Sequence, residues 1–230
     1  PSTFRKGIEY SRNLMTVRIA KILGLDKILD LSTKLEIYED IPELLSVSLG
    51  SVETTLLNLS SAYASFANGG KKIEPTLIKR IQDRRGKTIF KLENKRCVGC
   101  DKFLNDSENF PSIKYSNERV FTEETAYQMT SILEGVVKRG TGKKLRDLKV
   151  PIAGKTGTTN NNYDAWFIGF TSNLVVGVYI GFDNPKTLGK FETGSKAALP
   201  IFKDFVKKTL FKEDFKDFSI PNGIFLTSLN

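Results

Sequence analysis

Val150-Pro151-Ile152-Ala153-Gly154-Lys155-Thr156-Gly157-Thr158-Thr159 opens the part of the chain on which the fold turns. Two further β-rich runs follow it, residues 165–171 and 174–182, set off by Asn160-Asn161-Asn162 and by Ser172-Asn173. Short runs of β-branched and aromatic residues between turn formers read as strands. Parallel neighbours need a crossover of about a dozen residues or more, so connections this short make the three strands antiparallel.

Working outward, helical periodicity brackets the strands. Upstream, Thr122 is placed to cap a helix whose first turn carries Glu123 and Glu124 near its positive end. Ala126, Met129, Leu133 and Val136 form its apolar stripe, and Gly140-Thr141-Gly142 breaks it. Downstream, residues 197–210 carry Ala198, Ile201, Phe202, Phe205 and Leu210 at spacings that predict one buried face.

Nearer the start, Asn13 is expected to cap a helix bearing Met15, Ile19, Ile22 and Leu23, with Gly24 as its stop. A second helix is expected from Ser51, with Leu56, Leu59, Tyr63 and Phe66 at helical spacing, ended by Asn68-Gly69-Gly70. Residues 73–83 and 87–93, joined across Arg84-Arg85-Gly86, read as a β-hairpin. Residues 94–120 are polar and the least regular, and read as a surface insertion. Helices, then an antiparallel meander, then a helix laid back on it make the fold class α+β, an antiparallel sheet flanked by helices.

The chain has 230 residues, room for one large domain or two small ones, and 27% charged with 40% hydrophobic residues is ordinary globular composition. A formal net charge of +9 favours acidic partners: an anionic substrate, membrane surface, polymer or nucleic acid. There is no histidine at all. That excludes Ser-His-Asp and Cys-His catalysis and any His-bearing zinc site, and leaves Lys, Asp, Glu or Tyr as general base. Cys97 and Cys100 are the only cysteines, too few to complete a four-cysteine zinc site. They read as a local loop-closing disulfide or as two idle thiols. The longest apolar run, residues 174–182, is about half of what a membrane-spanning helix needs. No signal-peptide pattern opens the sequence, and a start at Pro1 without a methionine reads as a piece of something longer.

Lys155-Thr156-Gly157-Thr158-Thr159 suits an anionic ligand. Lys155 supplies positive charge, and the Thr156 and Thr158 hydroxyls can donate to a carboxylate. Gly157 removes a side chain where a ligand backbone would approach the strand edge. On local grounds Ser11-Arg12-Asn13 is a helix cap, and Lys155 to Thr159 an edge strand with a turn glycine.

Taken in order, several blocks say more. They are Tyr10-Ser11-Arg12-Asn13-Leu14-Met15-Thr16-Val17-Arg18, Ser48-Leu49-Gly50-Ser51-Val52-Glu53 and Ala62-Tyr63-Ala64-Ser65-Phe66-Ala67-Asn68-Gly69-Gly70. Gly135-Val136-Val137 with Gly140-Thr141-Gly142, then Ala153-Gly154-Lys155-Thr156-Gly157-Thr158-Thr159, continue the series. Asp164-Ala165-Trp166-Phe167-Ile168-Gly169-Phe170 and Ala198-Leu199-Pro200-Ile201-Phe202 complete it. The series resembles the transpeptidase domain of class A penicillin-binding proteins, the bifunctional peptidoglycan synthases. The likeness runs over residues 1–225, is poorest over 94–120, and leaves 226–230 as a tail.

The resemblance implies the penicillin-binding protein and serine β-lactamase fold, without its nucleophile-bearing N-terminal part. It implies a serine nucleophile that attacks the penultimate D-Ala carbonyl of a stem peptide, expels the terminal D-Ala, and passes the acyl group to an amine of a second stem peptide. β-Lactams mimic the D-Ala-D-Ala end and acylate the same serine. The family's motifs are S-x-x-K, S-D-N and K-T-G. Ser11 and Asn13 match the second, with Arg12 in its middle place, and Lys155 to Gly157 match the third. Carried over, Ser11 relays a proton to the leaving amine, Asn13 holds the substrate amide and Lys155 keeps the local field positive. Thr156 and Thr158 grip the terminal carboxylate, the Thr158 N–H is half of the oxyanion hole, and Thr159 completes the substrate wall.

S-x-x-K occurs nowhere in the 230 residues. Ser2-Thr3-Phe4-Arg5 ends in an arginine that cannot lose its proton, and Thr3 to Lys6 is a T-x-x-K match of the kind a lysine-rich chain produces readily. In the family the nucleophile motif lies N-terminal to Ser-x-Asn, so nucleophile and lysine base are expected upstream of residue 1. The resemblance further implies an upstream glycosyltransferase domain and membrane anchor, a location on the extracytoplasmic face of the inner membrane, and no cofactor or metal. Three readings compete. A D,D-carboxypeptidase or β-lactamase of the same fold would hand the acyl group to water, and a non-catalytic scaffold or sensor would keep only the fold. A nucleic-acid binder has charge alone in its favour, with no accompanying motif, so no nucleic-acid partner is expected.

Overall fold

The computed structural model describes residues 2–92, 95–98, 112–115, 117–210 and 215–227. Along the chain run helices α1 (Phe4–Glu9), α2 (Asn13–Leu23), α3 (Leu25–Lys34) and α4 (Leu56–Ala67), then strands β1 (Arg80–Gln82), β2 (Thr88–Lys91), β3 (Lys95–Val98) and β4 (Ser112–Tyr115). Helix α5 (Glu123–Lys138) precedes the meander β5 (Ala153–Thr158), β6 (Ala165–Phe170) and β7 (Val175–Ile180), and α6 (Ala198–Thr209) follows it.

The meander pairs antiparallel in the order β5-β6-β7. Its register sets Lys155 opposite Ile168, Thr156 opposite Phe167, and Phe167 opposite Val178. Both faces of the sheet are covered. On one, α4 and α5 bring Tyr63, Phe66, Leu133 and Val136 against Ala153 and Phe170. On the other, α6 brings Leu199, Phe202 and Val206 against Phe167, Ile152 and Leu145. Phe167 and Phe202 meet edge to face, centroids 4.9 Å apart, a favourable ring geometry. Two covered faces explain why β6 is buried at every position but the half-buried Trp166 and lacks the polar alternation of a half-exposed strand.

Several boundaries differ from the sequence reading. The helix expected from Ser51 begins at Leu56, where Thr55 accepts a hydrogen bond from the Asn58 N–H at 3.0 Å. Ser51 instead follows a 3-10 turn, Leu45–Leu49, closed by Gly50 at φ 77°. Asn13 is the first residue inside α2 rather than its cap, a place taken by Arg12 without a side-chain bond. On α6 the buried face comprises Ala198, Leu199, Phe202 and Val206, while Ile201 and Phe205 are exposed. Ile201 and Phe205 lie beside that face at equally apolar positions, and only the partner sheet decides which residues turn inward. Helices α1 and α3 are additions to the sequence reading: α1 is only six residues long, and α3 follows α2 directly across Gly24, which reads as a stop.

The hairpin around Arg84-Arg85-Gly86 is present but short, with Ile81 opposite Phe90. The segment read as irregular also holds a ladder, Cys97 opposite Ile113, with Val98 and Ile113 exposed. Cys97 is disulfide-bonded, and Cys100 lies outside the described residues. The excursion that bears both hairpins leaves and returns at one point. Lys71 bridges Arg119, the Lys72 N–H donates to the Glu118 carbonyl at 2.8 Å, and Val120 donates to Gly70 at 2.8 Å.

Candidate active site

The site begins at a kink. Helix α1 ends at Glu9, and Ser11 then adopts φ 54°, left-handed space that a non-glycine residue enters at a cost of about 1–3 kcal/mol. The turn is closed by Ser11 N–H to Ile8 at 3.1 Å and Arg12 N–H to Gly7 at 2.8 Å. It delivers the Ser11 hydroxyl to β5, where the Lys155 ammonium donates to Ser11 Oγ at 2.9 Å and to the Thr156 carbonyl at 2.9 Å. Residues 144 positions apart in sequence thus share one hydrogen bond.

Lys155 has neutral acceptors only, and among the described residues no carboxylate pairs with it. Burial pulls its ammonium down from the ordinary 10.5 to about 8, because a low-dielectric setting disfavours charge. A cation that is desolvated and not neutralised in place is electrostatically ready for an incoming anion.

The strand presents its groups to an open edge. The Thr159 N–H donates to the Asp164 carbonyl at 3.2 Å, one step beyond the paired strands. Bonded pairs alternate along an antiparallel ladder. Gly157 with Trp166 and Lys155 with Ile168 are therefore the bonded pairs, and the Thr156 and Thr158 backbone groups point away from β6. Among the described residues no strand pairs with β5 on its other side, so those groups face an unpaired edge.

The side chains divide between the two faces. Thr156, opposite Phe167, is buried, with its hydroxyl 2.7 Å from that of Thr141. The exposed Thr158 hydroxyl accepts from the Gly194 N–H at 3.0 Å, which leaves its own proton free to donate outward. The Thr159 hydroxyl accepts from the Asp164 N–H at 2.8 Å and closes the β5–β6 turn. Gly157 answers a packing demand as well as leaving an edge open: a Cβ there would stand 3.1 Å from Cβ of Trp166. Asn13, exposed on the first turn of α2, has no side-chain hydrogen bond among the described residues.

So Ser11 and Lys155 meet directly, Thr156 and Thr158 follow Lys155 along β5, Asn13 lies two residues from Ser11, and Thr159 is occupied by its own turn. The near-match at Thr3 is a helix cap, its hydroxyl accepting from the Lys6 N–H at 3.3 Å. Two residues beside the site were missed. Thr141 enters the sequence reading only as part of Gly140-Thr141-Gly142, a helix breaker and one of the family blocks, without a role of its own, and Glu9 carries no signal. The buried Glu9 side chain accepts from Arg139 Nε at 3.2 Å, and its carbonyl accepts from the Thr141 N–H at 3.1 Å. No cluster of three or more metal-ligating side chains occurs among the described residues.

The family model described as the penicillin binding protein transpeptidase domain matches residues 1–207. Penicillin-binding protein 1A of Rickettsia prowazekii is 45% identical over 99% of this chain and 29% of its own length. Penicillin-binding protein 1A of Pseudomonas aeruginosa is 32% identical over 97% of this chain and 31% of its own length. The chain therefore spans about three-tenths of the curated relatives it matches. Among solved structures, penicillin-binding protein 1A from Haemophilus influenzae superposes with a TM-score of 0.82 at 30% identity, over 96% of this chain and 36% of that one. The PonA1 protein of Mycobacterium tuberculosis in complex with penicillin V shares the fold at a TM-score of 0.72 and 19% identity, over 95% of this chain and 58% of that one.

Proposed function

Because the chain belongs to the penicillin-binding protein transpeptidase family, we propose that it forms the Ser-x-Asn corner and Lys-Thr-Gly wall of a serine D,D-transpeptidase that cross-links peptidoglycan stem peptides. The observation that carries this reading is the 2.9 Å bond from Lys155 Nζ to Ser11 Oγ. It supports reading the two motifs as one site, in which Ser11 handles the proton and Lys155 faces the anion.

In the proposed reaction a serine hydroxyl supplied by sequence N-terminal to this chain adds to the penultimate D-Ala carbonyl. The acyl–nitrogen bond breaks and D-Ala leaves with the proton that the serine lost, handed on through Ser11. An amine of a second stem peptide then adds to the ester carbonyl, and the serine recovers its proton. Lys155 supplies the field that holds the substrate carboxylate, and the Thr156 and Thr158 hydroxyls are its donors. The outward-facing Thr158 N–H suits one half of an oxyanion hole, and in this reading Asn13 holds the substrate amide. A lysine base fits a chain without histidine. β-Lactams, whose carboxylate and strained amide copy the D-Ala-D-Ala end, are the inhibitors expected at this wall. The setting proposed is the extracytoplasmic face of the inner membrane, with an anchor and a glycosyltransferase domain earlier in the same protein.

Intact mass after incubation with a penicillin, on this chain and on a protein extended upstream, tests the reading. A gain of one antibiotic mass by the extended protein alone is the expected result. Stoichiometric acylation of this chain by itself would place the nucleophile within it and overturn the map. No reaction in either would favour a scaffold of the same fold. With an amine acceptor, dimeric cross-linked products support transfer, and trimmed monomers would point to hydrolysis.

A further inference from the structure

The turn that follows α5, Arg139-Gly140-Thr141, makes three separate attachments to the site and belongs to neither recognised motif. We propose that Thr141 is a positioning residue whose hydroxyl sets the direction in which Thr156 donates, and that Glu9 fixes Thr141 in turn. The inference rests on the transpeptidase reading above and deepens it at the carboxylate subsite.

A hydroxyl has one proton and two lone pairs. Thr141 Oγ1 and Thr156 Oγ1 stand 2.7 Å apart, so one of them donates to the other. If Thr141 donates, the Thr156 proton is left to point at a carboxylate on the open edge. If Thr156 donated instead, its lone pairs would face the anion and repel it. An anion selects the first arrangement, and the relay from Thr141 through Thr156 to the carboxylate polarises along its length. With Thr141 unable to donate, the Thr156 hydroxyl loses the partner that holds its proton outward.

The turn is held where this relay needs it. The Thr141 N–H donates to the Glu9 carbonyl at 3.1 Å, and the Gly140 and Gly142 N–H groups each donate to Val136 at 3.0 Å. A Cβ at Gly140 would overlap the Glu9 carbonyl oxygen, so only glycine lets the two backbones meet this closely. Glu9, 3% exposed, grips Arg139 at the other side of the turn. The result is a closed ring. From Ser11 the backbone runs back to Glu9, crosses by hydrogen bond to Thr141, passes by hydroxyl to Thr156, and returns through Lys155 to Ser11. Both walls of the site are thereby referred to one buried turn.

The test uses the intact protein and two probes, benzylpenicillin and its methyl ester, which lacks the free carboxylate. Thr141→Val should lower the second-order acylation rate about tenfold for benzylpenicillin and less than about twofold for the ester, the difference expected from loss of one oriented hydrogen bond to a charged group. Thr141→Ser should restore the benzylpenicillin rate to within about twofold. The ratio of the two rates within one preparation does not depend on its folded fraction. Thr141→Ala gives the same comparison should the valine methyl not fit. Equal losses for the two probes, or no loss for either, would overturn the proposal. A parent protein that reacts with neither probe would instead overturn the transpeptidase reading, and this inference with it.

Discussion

Lys155 works as a cation because its surroundings do not cancel it. Burial lowers its ammonium to about 8, and its two partners are neutral oxygens. Between about pH 8 and 10.5 the unfolded lysine holds a proton that the folded one has released. Unfolding takes up a proton across that window, so stability rises with pH there, and below it the desolvation cost is felt in full. Lys155→Met should therefore raise the melting temperature relative to the parent most at neutral pH, with the two converging toward pH 10.5. A melting series across that range checks it, and a constant offset would count against a buried charge. The same substitution should lower acylation by a carboxylate-bearing β-lactam about a hundredfold while leaving the far-ultraviolet circular dichroism unchanged. The parent's acylation rate should decline through about pH 8 as the ammonium is lost, which a pH–rate profile reads directly.

Glu9 sets a second expectation at this scale. Its partner Arg139 reaches solvent, so removing the carboxylate does not strand a buried charge. Glu9→Ala should cost about 1–3 kcal/mol from lost hydrogen bonds, measured by denaturant titration, rather than the larger penalty of an abandoned buried ion.

Among the elements, α6 and the meander decide the core and α1 with β5 decide the site. Phe202 lies against Phe167 on the α6 face, fully buried. Phe202→Ala should cost about 3–5 kcal/mol, whereas Phe205→Ala, on the same helix but 43% exposed, should cost a small fraction of that. Periodicity alone placed both residues on one buried face. Their different fates follow from which side of α6 the sheet covers, which no local pattern contains. The cap at Thr55 is not legible from local sequence for a related reason. Ser51 and Thr55 are both competent caps, and the 3-10 turn ending at Gly50 decides between them.

For the molecule as a whole, the excursion between residues 72 and 118 is the separable part. Its two ends are hydrogen-bonded to one another at 2.8 Å, and among the described residues the two hairpins it bears pair with no other strand. Two-stranded hairpins with little cover are marginal in water. In the intact protein the amides of β1 and β2 should exchange hydrogen orders of magnitude faster than those of β6, which is packed on both faces. Equal protection in a hydrogen-exchange experiment would show that the hairpin is covered by another part of the protein.

Much of this was legible in the residues. Close spacing of the last three strands required an antiparallel meander, Thr122 and the stripe from Ala126 to Val136 marked α5, and the ordered blocks pointed to the family and named Ser11 and Lys155 as candidates. These are local or one-dimensional properties: turn chemistry, periodicity and the order of motifs along the chain. Only the tertiary structure brought Ser11 to Lys155, opened the edge of β5 with the Thr156 and Thr158 backbone outward, and tied Thr141 and Glu9 into the same ring. Distances between groups more than a hundred residues apart depend on how buried faces stack, and stacking is a property of the assembled core rather than of any stretch of sequence within it.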